Sequence, residues 1–202
     1  MSAQPQPRLT PEQYLEAERA TECKHEYYNG QIYAMSGGSY QHAQIILNFA
    51  AELRAALKKR PCSVVSSDLR LRVSPDGLYT YPDAVVICGE PKFVDDRQDT
   101  LLNPTLIVEV LSSSTEAYDR GPKAAQYRKL ESLQEYVLVS QAEPRIEVFR
   151  RQSGGHWLLS EATGLEAICH FESLECAISL ADIYDKVTFS AVDPFASVRP
   201  TT

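Results

Sequence analysis

The sequence predicts an α/β fold whose sheet is covered on both faces, preceded by a short helix and a β-hairpin. Three observations carry this. Tyr81 to Cys88 and Thr105 to Leu111 are almost continuously apolar, the pattern of strands buried on both sides. Between Ser39 and Pro61 the apolar residues Ala43, Ile46, Leu47, Ala50, Leu53 and Leu57 recur at helical spacing. At 202 residues, with 44% hydrophobic and 23% charged side chains, the chain matches one compact globular domain. That domain is expected over 10–189, with loose tails at 1–9 and 190–202.

Thr10-Pro11-Glu12-Gln13 reads as a helix start, with Thr10 capping, Pro11 in the first helical position and Gln13 closing a capping box. His25 to Tyr28 and Gln31 to Met35 flank Asn29-Gly30, the dipeptide best suited to a tight hairpin. Ser39 caps the long helix, which ends at Lys58-Lys59-Arg60-Pro61, where the basic cluster complements the helix dipole. Strands then follow at Ser63 to Ser66, Leu69 to Val73, Tyr81 to Cys88 and Thr105 to Leu111. A helix is expected over Asp119 to Leu130, strands at Glu135 to Ser140, Arg145 to Arg150 and Trp157 to Ser160, and a closing helix at Leu180 to Tyr184. No internal repeat is visible.

Twenty basic against 27 acidic residues give a formal charge of −7, which excludes a uniformly basic nucleic-acid coat. Local basic contacts remain open, with Arg70, Arg72, Arg120 and Arg128 as candidates, each of which also reads as a solvated surface charge. No apolar run approaches the roughly 20 residues of a membrane helix. The N-terminus carries no secretory pattern, so a cytoplasmic protein is expected. Five cysteines without a CxxC pair argue against a disulfide framework and a thiolate zinc site, and are expected to be free thiols.

The chemical anomalies are acids in apolar strands. Glu109 lies within Leu106-Ile107-Val108-Glu109-Val110-Leu111, where an uncompensated carboxylate is costly. Asp83 lies at the front of the apolar strand Tyr81 to Cys88, within Tyr81-Pro82-Asp83-Ala84-Val85-Val86-Ile87. Side by side, the two strands would join these acids, whose repulsion a shared proton or a divalent metal would relieve. Each acid alone also reads as a salt-bridge or turn residue. Asp119 is expected to cap the next helix, placing Pro122 in its first turn and Lys123 and Tyr127 on one face. Lys123 could reach the carboxylates or be a solvated surface lysine.

The blocks Lys24-His25-Glu26-Tyr27-Tyr28-Asn29-Gly30, His42, Tyr81-Pro82-Asp83-Ala84-Val85-Val86, Leu106 to Ser112, Asp119-x3-Lys123-x3-Tyr127 and Gln134 to Val139 resemble the Uma family of restriction endonucleases, part of the PD-(D/E)xK nuclease superfamily. The resemblance runs in order from about Pro11 to Arg150. It implies a restriction-endonuclease-like mixed central β-sheet flanked by helices. It further implies a metal-dependent endodeoxyribonuclease in which Asp83, Glu109 and the Val110 carbonyl hold Mg²⁺ or Mn²⁺. Glu26 would be an outer carboxylate and His42 a donor or proton carrier. Weak, salt-dependent DNA binding and a homodimer are implied as well. The superfamily's signature lysine position is Leu111 here, so its role is expected at Lys123. Replacing Lys123 with Met is expected to leave folding and DNA binding nearly intact while lowering cleavage by roughly 10²-fold or more. Ser113, Asn29 and Ser140-Gln141 also depart from the family pattern. A second reading is a catalytically silent nucleic-acid-binding or interaction module that keeps the fold.

Overall fold

A computed structural model describes residues 8–75 and 77–189. Apart from Arg8 and Leu9, the expected tails lie outside the described residues. The elements run α1 (Pro11–Arg19), β1 (His25–Tyr28), β2 (Gln31–Ala34), α2 (Tyr40–Ala56), β3 (Cys62–Ser66), β4 (Arg70–Arg72), β5 (Tyr79–Thr80), β6 (Ala84–Cys88), β7 (Thr100–Leu101) and β8 (Leu106–Leu111). Then come α3 (Glu116–Tyr118), a π-helical turn (Asp119–Lys123), α4 (Ala124–Tyr127), β9 (Glu135–Ser140), β10 (Arg145–Arg151), β11 (Trp157–Thr163), β12 (Ile168–Phe171), β13 (Cys176–Ser179) and α5 (Leu180–Ile183).

Among the described residues, a six-stranded sheet has the order β11-β10-β9-β8-β6-β3, and β8–β9 is its one parallel pair. A second, five-stranded sheet, β2-β1-β5-β4-β7, is mixed through the parallel β4–β7 pair. β12 and β13 form a separate hairpin. One face of the six-stranded sheet packs against α2 and α5 through Ile45, Phe49, Leu53, Val108 and Leu180. The other packs Ile107, Val85 and Leu138 against Tyr127 and Leu71. β8 is thus buried along its whole length, as its apolar run requires.

Local chemistry accounts for the main elements. The Thr10–Gln13 capping box forms as expected, and Asn29 and Gly30 both take positive φ, 49° and 87°, as a type I′ hairpin turn demands. In α2 the helical period is right but its phase differs. Ile45, Phe49 and Leu53 face the core, whereas Leu47 is 66% exposed.

Three expectations are corrected. The expected strand Tyr81 to Cys88 begins only at Ala84, because the chain changes sheets here: β5 pairs with β1 and β4, and β6 with β3 and β8. Pro82, lacking an N–H, stands at this crossing, and Asp83 is its last residue. Asp119 is not an N-cap: the helix starts at Glu116, and Asp119 and Pro122 lie inside the π turn, whose widened ladder accommodates a missing donor. Finally, Cys62 and Cys88 are not free thiols. They face each other across the β3–β6 register and form a disulfide, while Cys23, Cys169 and Cys176 remain free.

Candidate functional site

The crossing at Pro82 opens a gap beside β8. β6 pairs with β8 only as far as Ala84↔Val108, so Asp83 and Glu109 occupy the next facing positions, and side chains directly opposite share one face. Beyond the last paired residue, Val110 has no β6 partner. Its N–H donates instead to Asp83 Oδ2 at 2.8 Å. The N–H and C=O of a strand residue point to the same edge, so the Val110 carbonyl faces the same gap.

Lys123 closes the site. The π turn delivers its side chain inward, 5% exposed, with Nζ 2.8 Å from Glu109 Oε1, 3.3 Å from Glu26 Oε1 and 3.5 Å from Asp119 Oδ1. One turn on, Tyr127 donates its hydroxyl to Glu109 Oε1 at 2.7 Å. Both donors fall on Oε1, and among the described residues no hydrogen bond falls on Glu109 Oε2. His42, in the first turn of α2, places Nε2 3.2 Å from Asp83 Oδ2. A Cβ on Gly38 would come within 2.6 Å of His42 Nδ1, so the bare backbone there makes room for the imidazole.

Burial raises the Glu109 carboxyl to about 8, with Lys123 opposing the shift and Asp83 and Asp119 adding to it. Burial pulls Lys123 down, but the surrounding carboxylates, led by Glu109, outweigh it and hold the ammonium well above its ordinary value. For His42 burial likewise acts downward, and the Asp83 hydrogen bond and charge, with the Val110 carbonyl, raise it overall.

The five side chains singled out in the sequence, Glu26, His42, Asp83, Glu109 and Lys123, together with the Val110 backbone, thus line one cavity of about 610 Å³. Sequence reasoning missed three others. Tyr118 donates to Glu26 Oε2 at 3.2 Å. Asp119, read as a cap, is a buried partner of Lys123, a role its i,i+4 spacing could have signalled. Gln141 donates to the Leu111 carbonyl at 2.7 Å and accepts from Ser39 Oγ at 2.8 Å, tying the end of β8 to the cap of α2. One expected phosphate contact is overturned. Arg70 is 3% exposed and bonded to Thr100, Tyr81 and Asp99, so it cannot reach DNA. Arg120 is paired with Glu116 and Glu147.

The donor set fits a hard divalent cation. Two carboxylates and a peptide carbonyl would offer oxygen donors to such an ion, and Mg²⁺ commonly takes one or two carboxylates and keeps several waters. Among the described residues, no group of three or more His, Cys, Asp or Glu side chains forms an all-protein metal cage, which such a partly hydrated ion does not need.

The family model places this mixed α/β fold among restriction-endonuclease-like proteins. The chain belongs to the Uma2 family, described as "Putative restriction endonuclease", whose profile matches residues 11–181. It is 41% identical over 157 residues, 77% of this chain and 80% of the other, to the uncharacterized protein slr1290 of Synechocystis sp. (strain ATCC 27184 / PCC 6803 / Kazusa). It is 35% identical over 167 residues, 83% of this chain and 94% of the other, to sll1609 of the same organism, also uncharacterized. Its fold matches the crystal structure of "a putative nuclease belonging to DUF820" from Anabaena variabilis ATCC 29413, with a TM-score of 0.73 and 19% identity over 89% of this chain and 99% of that one. No helix among the described residues is long and apolar enough to cross a membrane.

Proposed function

We propose that the protein is a metal-dependent endodeoxyribonuclease that hydrolyses DNA phosphodiester bonds. The observation that supports this best is the convergence of Asp83, Glu109, the Val110 carbonyl and the buried Lys123 at one strand gap. In this reading Asp83, Glu109 and the Val110 carbonyl hold Mg²⁺ or Mn²⁺. When bound, such an ion neutralises phosphate charge and lowers the pKa of water. Lys123 orients the attacking water or stabilises charge on the phosphorane, a contact made mainly in the transition state. Glu26 holds Lys123 in place, and His42, hydrogen-bonded to Asp83, carries a proton at Nε2 for the departing oxygen. DNA binding is weak and salt-dependent, with Arg72, Arg120 and Arg128 as the remaining candidate phosphate contacts. A homodimer belongs to the same reading, one cavity serving each strand, and light scattering tests it.

The silent-module reading draws on the saturation of Lys123 by carboxylates. Two measurements separate them. We expect cleavage of DNA by the wild type with Mg²⁺ or Mn²⁺ and none by Glu109→Gln, and calorimetric Mn²⁺ binding that is lost in the same variant. Unchanged Mn²⁺ binding in Glu109→Gln would remove this residue from the ligand set.

A further inference from the structure

The hairpin β1–β2 turns one row of side chains towards the cavity. In its register Glu26 stands opposite Tyr33, and Tyr28 opposite Gln31, so these four share a face, and Met35 continues the alternation. Glu26 is the member of this row that reaches Lys123. Tyr33 therefore stands beside the proposed catalytic cluster and lines the same cavity, yet it is 49% exposed. Among the described residues its hydroxyl donates to Gln31 Oε1 alone, on its own strand, at 2.7 Å. Tyr28, 40% exposed, extends the row away from the cavity. A half-exposed tyrosine on the cavity wall, packed in none of the hydrophobic clusters of the described residues, is a surface suited to a planar partner.

The charges of the cavity say how a nucleic acid would be held. Its walls carry the acids Glu26, Asp83, Glu109, Glu116 and Asp119. Its two basic side chains, Lys123 and His42, are turned to Glu109 and Asp83. With Arg70 buried as well, no uncommitted basic side chain among the described residues lines the cavity to hold a phosphate flanking the proposed metal site, and the exposed Tyr33 is the alternative anchor. The faces of bases are covered in a duplex and open only where the strand is unpaired.

We propose that the cavity admits a locally unpaired DNA strand, with a base flanking the scissile phosphate stacked on Tyr33. This rests on the nuclease reading above for the position of that phosphate. The test is fluorescence anisotropy with a fluorescein-labelled, mixed-sequence single strand of about 20 nucleotides and with the same sequence as a duplex, in Ca²⁺ without turnover. The single strand should bind more tightly than the duplex. Tyr33→Ala and Tyr33→Leu should each weaken single-strand binding by about 10-fold, the scale of losing one base–aromatic stack, while Tyr33→Phe keeps it. Circular dichroism confirms that the variants fold.

Equal or tighter duplex binding, no binding of either probe, or an unchanged affinity in Tyr33→Ala overturns the proposal. Glu109-dependent cleavage of linear duplex together with an inert Tyr33 would leave the nuclease reading standing and remove this one. Single-strand binding that depends on Tyr33, with no cleavage of any DNA, would remove the nuclease reading and keep only the stacking of an unpaired base on Tyr33, with no scissile phosphate beside it.

Discussion

With its ammonium 2.8 Å from Glu109 and 3.3 Å from Glu26, Lys123 compensates a cluster of acids that water barely reaches. The contrast with Glu135 shows what distinguishes a structural acid from a reactive one. Glu135 is fully buried, but Arg150 and the Glu172 amide bond one of its oxygens, and the Ser173 amide and hydroxyl bond the other, so its hydrogen-bonding capacity is met within the fold. Glu109 offers one partnered oxygen and one turned to no donor among the described residues. The burial of Lys123 also corrects the expectation that Lys123→Met would leave folding intact. Removing one partner of a buried ion pair leaves an uncompensated charge, costing about 3–5 kcal/mol. We therefore expect Lys123→Met to lower the urea midpoint clearly. Adding Glu109→Gln should recover part of the loss, because the orphaned acid is then gone. Equal stability of wild type and Lys123→Met in urea titrations would show that the ammonium is not paired in solution.

Secondary-structure elements differ in how visibly they were written in the sequence, and the reasons are physical. Asn29-Gly30 is legible because few residue pairs tolerate two successive positive φ values. β8 is legible because a strand buried on both faces needs an unbroken apolar run, and its one acid, Glu109, stands out against that run. The gap beside it is half-legible: Pro82 marks a break, but that the chain changes sheets there depends on partners distant in sequence. The π turn left no period to read, so Asp119 resembled a cap. β5 and β7, of two residues each, are too short to show a pattern. Nor does a sequence display the β3–β6 register that sets Cys62 against Cys88. That disulfide spans 26 residues and joins the edge strand to the strand that Asp83 precedes. Constraining such a loop in the unfolded chain contributes about 2–4 kcal/mol. For a chain of this size that corresponds to about 4–16 °C in Tm. Calorimetry with and without reductant, and of Cys62→Ser/Cys88→Ser, should show a drop in this range. A reductant-independent Tm equal to that of the double variant would mean that the bridge does not form.

Across the whole molecule, α1 is held to the five-stranded sheet by a chain of polar contacts as well as by the apolar cluster of Tyr14, Leu15, Tyr27 and Tyr79. Arg19, at the end of α1, bonds Asp99 at 2.6 Å and Asp95 at 2.8 Å. Asp99 also pairs with the buried Arg70, which donates to Tyr81. Tyr81 in turn donates to Glu18, whose other oxygen meets His25. The Arg19 hydrogen bond, with smaller help from Thr100 and Arg70, outweighs partial burial and holds the Asp99 carboxyl well below the ordinary aspartate range. A depressed folded-state pKa gives stability that is fully present above the unfolded value of about 4 and is lost as the pH falls below it. On the alkaline side the sign reverses. Burial raises Tyr14 and Tyr184 above the ordinary tyrosine value and lifts the Cys169 thiol to about 12. Their neutral forms therefore support the fold below their unfolded pKa values and lose that support above roughly pH 9–10. Stability should form a plateau over the neutral range with a limb at each end. Asp99→Asn keeps the shape of the side chain but removes the charge that Arg19 and Arg70 share. It should cost about 1–3 kcal/mol at neutral pH and flatten the acid limb while leaving the alkaline one unchanged. Urea titrations of wild type and Asp99→Asn across pH test this. Parallel curves down to acid pH would show that Asp99 is not the group that ties α1 to the five-stranded sheet.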